Sequence, residues 1–240
     1  MAVKVVSWNR VEFPISYDLI NPTATGPKLL FLHGWGARKE LMEIFQSEFQ
    51  GYRQLYLDLP GFGRSGLPVP LDSIGYSAVV RVFLGAVGFI PDGIVGHSFG
   101  GKIGLLLTPP KLILLASAGL PLPKPWPVKL KIYIFKGLKR LGLGRLRNLF
   151  VSPDGRGLFP ELYETFKQVV NEDFSEKFAT YSGKPLLFGG EEDRIVPPEI
   201  VRRQGELLGV KPIFLPGDHF FFVQEENRRR IGEEVRGLFK

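Results

Sequence analysis

The sequence contains no cysteine, so it can build neither a disulfide nor a thiolate metal site. It also lacks an apolar run approaching the roughly 18 residues of a membrane-spanning helix, because Pro109, Pro110 and Lys111 interrupt its richest apolar region. Met1 to Arg10 alternates polar and apolar side chains and has no signal-peptide core. These absences give the expectation of a soluble, cytoplasmic protein. Histidine is scarce: three residues in 240 confine any imidazole chemistry to His33, His97 and His219. Acidic side chains are missing altogether between Asp92 and Asp154, an interval that carries ten Lys and Arg residues. With a net charge of +7 for the whole chain, the remainder stands at −3, so a basic segment is set into a slightly acidic protein.

What is present suits one sizeable domain, with or without an insertion. Val3 to Val6 and Val11 to Tyr17 are rich in β-formers and flank Asn9-Arg10, which predicts an antiparallel hairpin at a sheet edge. Lys28 to Leu32 is a continuous apolar run, as expected of a strand covered on both faces. Leu41, Ile44, Phe45 and Phe49 fall at helical spacing and predict a helix over 39–49. Strands are expected at 54–59, 93–95 and 112–116, with helices at 77–87 and after Ser98. From Leu120 to about Gly183 the rhythm changes, beginning with Pro121, Pro123, Pro125 and Pro127. It resumes with a strand at 184–190, a helix at 198–208, a strand at 212–215 and a final helix from about 227. Alternating strands and helices predict parallel βαβ units in a doubly wound sheet. Residues 1–119 and 184–240 read as its core and 120–183 as an inserted lid.

Gly96-His97-Ser98-Phe99-Gly100 lies between a short apolar strand and a helix. A G-x-S-x-G pentapeptide has chemical meaning there, because glycines let strand and helix approach closely while a strained turn presents the serine hydroxyl. The Phe99 N–H, at the helix start, would point at a developing oxyanion. Such a serine needs a base, and histidine has a suitable pKa, about 6.5. His97 adjoins Ser98 and should project elsewhere, and His33 is placed to support the following Gly34-Trp35-Gly36 loop. His219, after the strand at 212–215, remains as the base. Its acid comes from Glu191, Glu192 or Asp193 at the end of the preceding strand, with Asp193 preferred.

The order Ser98, Asp193, His219 on this pattern resembles the α/β-hydrolase superfamily from Lys28 onward. The pieces that carry the resemblance are His33-Gly34-Trp35-Gly36, Asp58-Leu59-Pro60-Gly61-Phe62-Gly63-Arg64-Ser65, Gly96 to Gly101, Gly190 to Asp193 and Gly217-Asp218-His219. It looks most similar to small lidded carboxylesterases and their C–C hydrolase relatives. The resemblance implies an α/β-hydrolase fold, with a mostly parallel sheet, the N-terminal hairpin and a helical lid. It implies an acyl-enzyme route on a small carboxylic ester, with C–C bond hydrolysis, aminopeptidase activity or a non-catalytic receptor as alternatives. It adds the Trp35 N–H to that of Phe99 in an oxyanion hole, matches Asp193 to the family acid, and requires no cofactor or metal. Two features depart from the family: the helix after Ser98 is short, and Gln224 stands where an acidic residue is usual, five positions beyond His219.

Leu130, Ile134, Leu138 and Leu141 share one helical face and Lys129, Lys136 and Arg140 another, which predicts a basic amphipathic helix within the lid. A solvated lid over a small acyl substrate is the preferred reading, with attachment to anionic lipid or attraction of an anionic ligand as the alternative. Gly137, Gly142 and Gly144 weaken the helix, and without interleaved aromatic residues nucleic-acid binding is not expected.

Overall fold

The computed structural model describes residues 1–121 and 159–240. Its organising element is an eight-stranded sheet ordered β1-β2-β4-β3-β5-β6-β7-β8. β1 (Ala2–Trp8) and β2 (Val11–Ile20) form the expected edge hairpin. Asn9 and Arg10 make its two-residue turn at φ 50° and 63°, the positive-φ pair that matches the twist of the flanking strands. β2 runs antiparallel to β4 (Arg53–Leu57). From β4 onward the pairs are parallel: β3 (Lys28–Leu32), β5 (Gly93–His97), β6 (Lys111–Leu115), β7 (Lys184–Gly190) and β8 (Ile213–Leu215).

The central strands are apolar on both faces because helices cover both. Leu30, Leu32, Ile94 and Leu114 pack into one cluster with α2 (Ser73–Ala86) and α3 (Phe99–Leu107), which also reaches α4 (Pro160–Val169), α5 (Ser175–Ala179) and α6 (Pro198–Leu208). Leu29, Phe31, Val95 and Ile113 turn the other way, toward α1 (Glu40–Glu43) and α7 (Glu225–Leu238). Parallel strands bring their outgoing loops to one edge. Trp35, Asp58, Ser98, Asp193 and His219 all follow the carboxyl ends of strands there.

Two expectations need correction, and one element has no counterpart among them. The helix predicted over 39–49 is only α1 followed by a 3₁₀ turn at Gln46–Phe49. Phe45 and Phe49 are buried and Leu41 and Ile44 half-buried, but beyond Glu43 the backbone closes i→i+3 bonds, Phe45 N–H to Met42 O at 3.1 Å and Glu48 N–H to Phe45 O at 3.0 Å, so the α-helix does not continue. α2 begins four residues earlier than predicted, because the Asp72 carboxylate accepts the Gly75 N–H at 2.7 Å and caps it. α5 was not foreseen. The predicted amphipathic helix bearing Leu130, Ile134, Leu138, Leu141, Lys129, Lys136 and Arg140 lies outside the described residues, as does much of the 120–183 lid.

Candidate active site

Ser98 sits between β5 and α3 at φ 49° and ψ −112°, a conformation that costs a non-glycine residue on the order of 1–3 kcal/mol. Its surroundings hold it there. The Ser98 N–H donates to Leu115 O at 3.0 Å, and Ser98 O accepts from Ala118 N at 3.0 Å and Gly101 N at 3.1 Å. Gly100 is needed because a Cβ there would lie 2.3 Å from Leu32 O. The half-buried serine lines a cavity of about 580 Å³ with Trp35, Phe99, Phe166, Val196 and Ile200 on its walls.

The three histidines have separate environments. His219 Nδ1 lies 2.7 Å from Asp193 Oδ2, with both residues buried. Because a carboxylate can only accept, the proton of this bond is carried by Nδ1. Asp193 is itself fixed: Oδ1 accepts the N–H groups of Ile195 at 2.7 Å and Val196 at 2.9 Å. The acid and base loops can meet because residue 190 is glycine; a Cβ there would stand 2.3 Å from Asp218 O. Glu191 and Glu192 are exposed beside this pair.

His97 engages the base loop. Its Nε2–H donates to the His219 carbonyl at 3.2 Å, and the two rings stand 4.7 Å apart. Burial first, then the neighbouring His219, pushes its pKa well below the usual histidine value, so His97 is neutral. Its Nδ1 has no partner among the described residues. His33 is a brace: Nε2 accepts the Leu59 N–H at 3.0 Å, leaving Nδ1–H to donate to Gly34 O at 2.8 Å. Burial lowers its pKa to about 4, against weaker opposition from the Gly34 bond and Asp58.

The Gly34-Trp35 loop lies against the serine turn, since a Cβ built on Gly34 would come within 3.1 Å of Ser98 Cβ. Among the described residues, neither the Trp35 N–H nor the Phe99 N–H is spent on a turn or cap hydrogen bond. The Trp35 ring packs edge-on to Phe62 and Phe99, at 5.0 and 5.5 Å. Asp58 supports this edge from beneath, accepting the N–H groups of Lys39 at 2.8 Å and Arg64 at 3.1 Å. Among the described residues the Ser98 hydroxyl has no hydrogen-bond partner, and the bond from Ser98 Oγ to His219 Nε2 is not formed.

Sequence reasoning missed the group that secures the His219 loop. Asn227, on α7, donates through Nδ2 to Pro216 O and Phe221 O, each at 2.8 Å, and spans the loop from behind. Gln224, at the position that departs from the resembled pattern, stands beside Asn227 with Oε1 3.4 Å from Nδ2. An asparagine near the start of a helix carries no signal for such a role. No group of His, Asp and Glu that could hold a metal occurs among the described residues.

Residues 29–232 match the model of the alpha/beta hydrolase family. The sn-1-specific diacylglycerol lipase ABHD11 of Mus musculus is 33% identical over 97 residues, covering 39% of this chain and 32% of the relative. The 2-succinyl-6-hydroxy-2,4-cyclohexadiene-1-carboxylate synthase of Salmonella typhimurium is 32% identical over 83 residues, covering 33% of this chain and 32% of the relative. The matches thus span about a third of the length of these curated relatives. A thermophilic esterase from Thermogutta terrifontis superposes over 100% of both chains with a TM-score of 0.73 at 16% identity, a likeness of fold. With the family model matching most of the chain and the sheet order and hairpin in agreement, this protein belongs to the alpha/beta hydrolase family.

Proposed function

We propose that this protein is a serine hydrolase that cleaves a small carboxylic ester through an acyl-enzyme. Ser98 is the nucleophile, His219 the general base and acid, Asp193 the carboxylate that orients and stabilises His219, and the N–H groups of Trp35 and Phe99 the oxyanion hole. The observation that carries the reading is the strained backbone of Ser98 at φ 49°, sustained at the mouth of a largely apolar cavity. The buried Asp193–His219 pair and the esterase and lipase among the similar proteins support it.

In the first step Ser98 Oγ attacks the ester carbonyl carbon as His219 Nε2 takes its proton. Asp193 Oδ2 holds the Nδ1–H and offsets the imidazolium charge. The carbonyl oxygen, now anionic, accepts from the two backbone N–H groups. The tetrahedral species collapses, the C–O bond to the leaving group breaks, and Nε2–H protonates the departing alkoxide. Water repeats the sequence on the acyl-serine, releasing acid and free Ser98. The Ser98–His219 bond forms when substrate docks, as such bonds commonly tighten in the complex.

The test is hydrolysis of p-nitrophenyl acetate. Ser98→Ala and His219→Ala should each lower kcat by roughly 10⁴ or more, with little further loss in the double variant, because the groups act as a unit. A serine-directed phosphonate should label Ser98 in the wild type. Labelling elsewhere, or full activity in His219→Ala, contradicts the assignment. Saturable ester binding without turnover identifies a receptor instead.

A further inference from the structure

One turn beyond Ser98 on the same helix, a lysine side chain stays inside the protein. Lys102 is 3% exposed. Its Nζ donates to Val169 O, at the carboxyl end of α4, at 2.7 Å, and pairs with Glu172 Oε2 at 2.5 Å. It also stands 4.6 Å from the Phe174 ring centroid. Glu172 is held from a third direction, accepting the Ser73 N–H at 3.1 Å and the Ser73 hydroxyl at 2.5 Å at the start of α2. One ammonium therefore joins α3, the end of α4 and the 169–174 turn, and through Glu172 it reaches α2.

Burying an ammonium is costly unless it is paired and hydrogen-bonded. The rest of α3 is apolar or glycine, so packing alone would be served by an aliphatic residue at 102. What the lysine adds is a fixed relation between two parts of one cavity. Lys102, Phe166, Val169, Val170 and Glu172 line the same cavity as Ser98. The ammonium also meets the carbonyl end of α4, where the helix dipole favours a cation. Lys102 lies about one helical turn, or 5.4 Å, along α3 from Ser98, so the α4 wall is anchored to the helix that carries the nucleophile.

We infer that Lys102 is a positioning residue for substrate choice: by tying the α4 wall to the helix that carries Ser98, it fits the cavity to esters with a medium-length apolar acyl chain. The inference rests on the ester-hydrolase reading above and names the substrate class of that site. A hexanoyl chain extends further from Ser98 than an acetyl group does, so the hexanoate is the ester that should sense a wall tied one helical turn from the nucleophile. Among the described residues, Glu172 is the charged group that faces the ammonium, with the Val169 carbonyl, the Phe174 ring and the Ser73 hydroxyl around the pair. Burial lowers the Lys102 pKa below the ordinary ammonium value, against partial compensation from Glu172. The tie is therefore present below that lowered pKa and is lost as pH rises through it.

The experiment compares p-nitrophenyl hexanoate with the acetate in wild type, Lys102→Met and the neutral pair Lys102→Met/Glu172→Gln, which leaves no buried charge unpaired. In both variants KM for the hexanoate should rise about tenfold more than KM for the acetate, with kcat following no such split. In wild type the hexanoate preference should decline at alkaline pH, and in Lys102→Met it should be flat. An equal change for both esters, or an unchanged preference in folded variants, overturns the inference. A calorimetric arm needs no chemistry: hexanamide should bind Ser98→Ala about tenfold more tightly than Ser98→Ala/Lys102→Met. If wild type hydrolyses no ester yet this difference persists, the ester reading fails and the wall assignment stands. Equal hexanamide affinities defeat the wall assignment itself.

Discussion

Asp193, Glu191 and Glu192 show how three acidic side chains on one loop acquire different fates. Asp193 turns inward, where His219 Nδ1 and two backbone N–H groups satisfy both of its oxygens. The glutamates remain in water. Asp193→Asn should therefore lower ester turnover by about 10⁴, by losing the charge and disturbing the His219 tautomer. Glu191→Gln and Glu192→Gln should change it by less than about twofold, as exposed substitutions generally do little. Steady-state kinetics on the three variants checks this, and a damaging glutamate change would move the acid role to that residue. The sequence made this loop legible because a glycine-ended apolar strand leads into acidic residues at the functional edge. It left the choice among the three to side-chain direction, which depends on the contacts of Ile195 and Val196. The supporting roles of Asn227 and His97 were hidden for a related reason: each acts on a backbone carbonyl, and carbonyls have no identity in a sequence.

At the level of elements, legibility followed how locally each one is determined. β3, β7 and α6 match their predicted limits because continuous apolar runs, Pro198 and the left-handed Gly209 define them within their own residues. The 39–49 segment closes on i→i+3 bonds instead, and Gln54, from β4, holds its last turn through the carbonyls of Gln46 and Phe49. That short α1 also carries a strained charge. Glu43, the last residue of α1, lies beside Asp18 of β2. Burial, then Asp18, raises the Glu43 pKa to about 7. Burial also opposes ionisation of Asp18, but bonds from the Met1 amino group and Lys39 outweigh it and hold Asp18 below its ordinary value. In the unfolded chain Glu43 ionises near 4.5, so between that pH and about 7 the folded state binds the extra proton. Stability therefore declines across this window as pH rises, and the penalty is complete above it. Glu43→Gln, which imitates the protonated form, should raise Tm at pH 8 and change it little at pH 4.5. Thermal unfolding at the two pH values decides the matter, and an equal shift at both would show packing rather than ionisation at work.

Across the whole molecule, charge is segregated more sharply than chemistry requires. The interval between Asp92 and Asp154 holds ten basic residues and no acidic one, against −3 for everything else. Two of the ten lie on described elements and have local employment: Lys102 in the cavity wall, and Lys111 with its Nζ 3.9 Å from the Phe239 ring centroid. The other eight fall within residues 122–158, so their reading comes from the sequence. The alternation of Leu130, Ile134, Leu138 and Leu141 with Lys129, Lys136 and Arg140 in the sequence makes surface attachment the way such a segment would engage lipid. Each basic residue at an anionic surface contributes about 1 kcal/mol. Reversing Lys129, Lys136 and Arg140 to glutamate would then weaken attachment by at least roughly a hundredfold. Attachment should also decline as the Debye length shortens from about 10 Å at 0.1 M salt to about 3 Å at 1 M. A segment whose charges are only solvated behaves otherwise: the same reversal leaves kcat/KM on a neutral soluble ester nearly unchanged, and there is no vesicle binding to lose. We expect the second outcome, because the proposed chemistry uses a neutral ester and an apolar cavity and draws on none of these charges. Co-sedimentation with phosphatidylserine vesicles at both salt concentrations tests it. Tight binding of the wild type that salt and the triple reversal both abolish would make this a hydrolase that works at an anionic membrane surface.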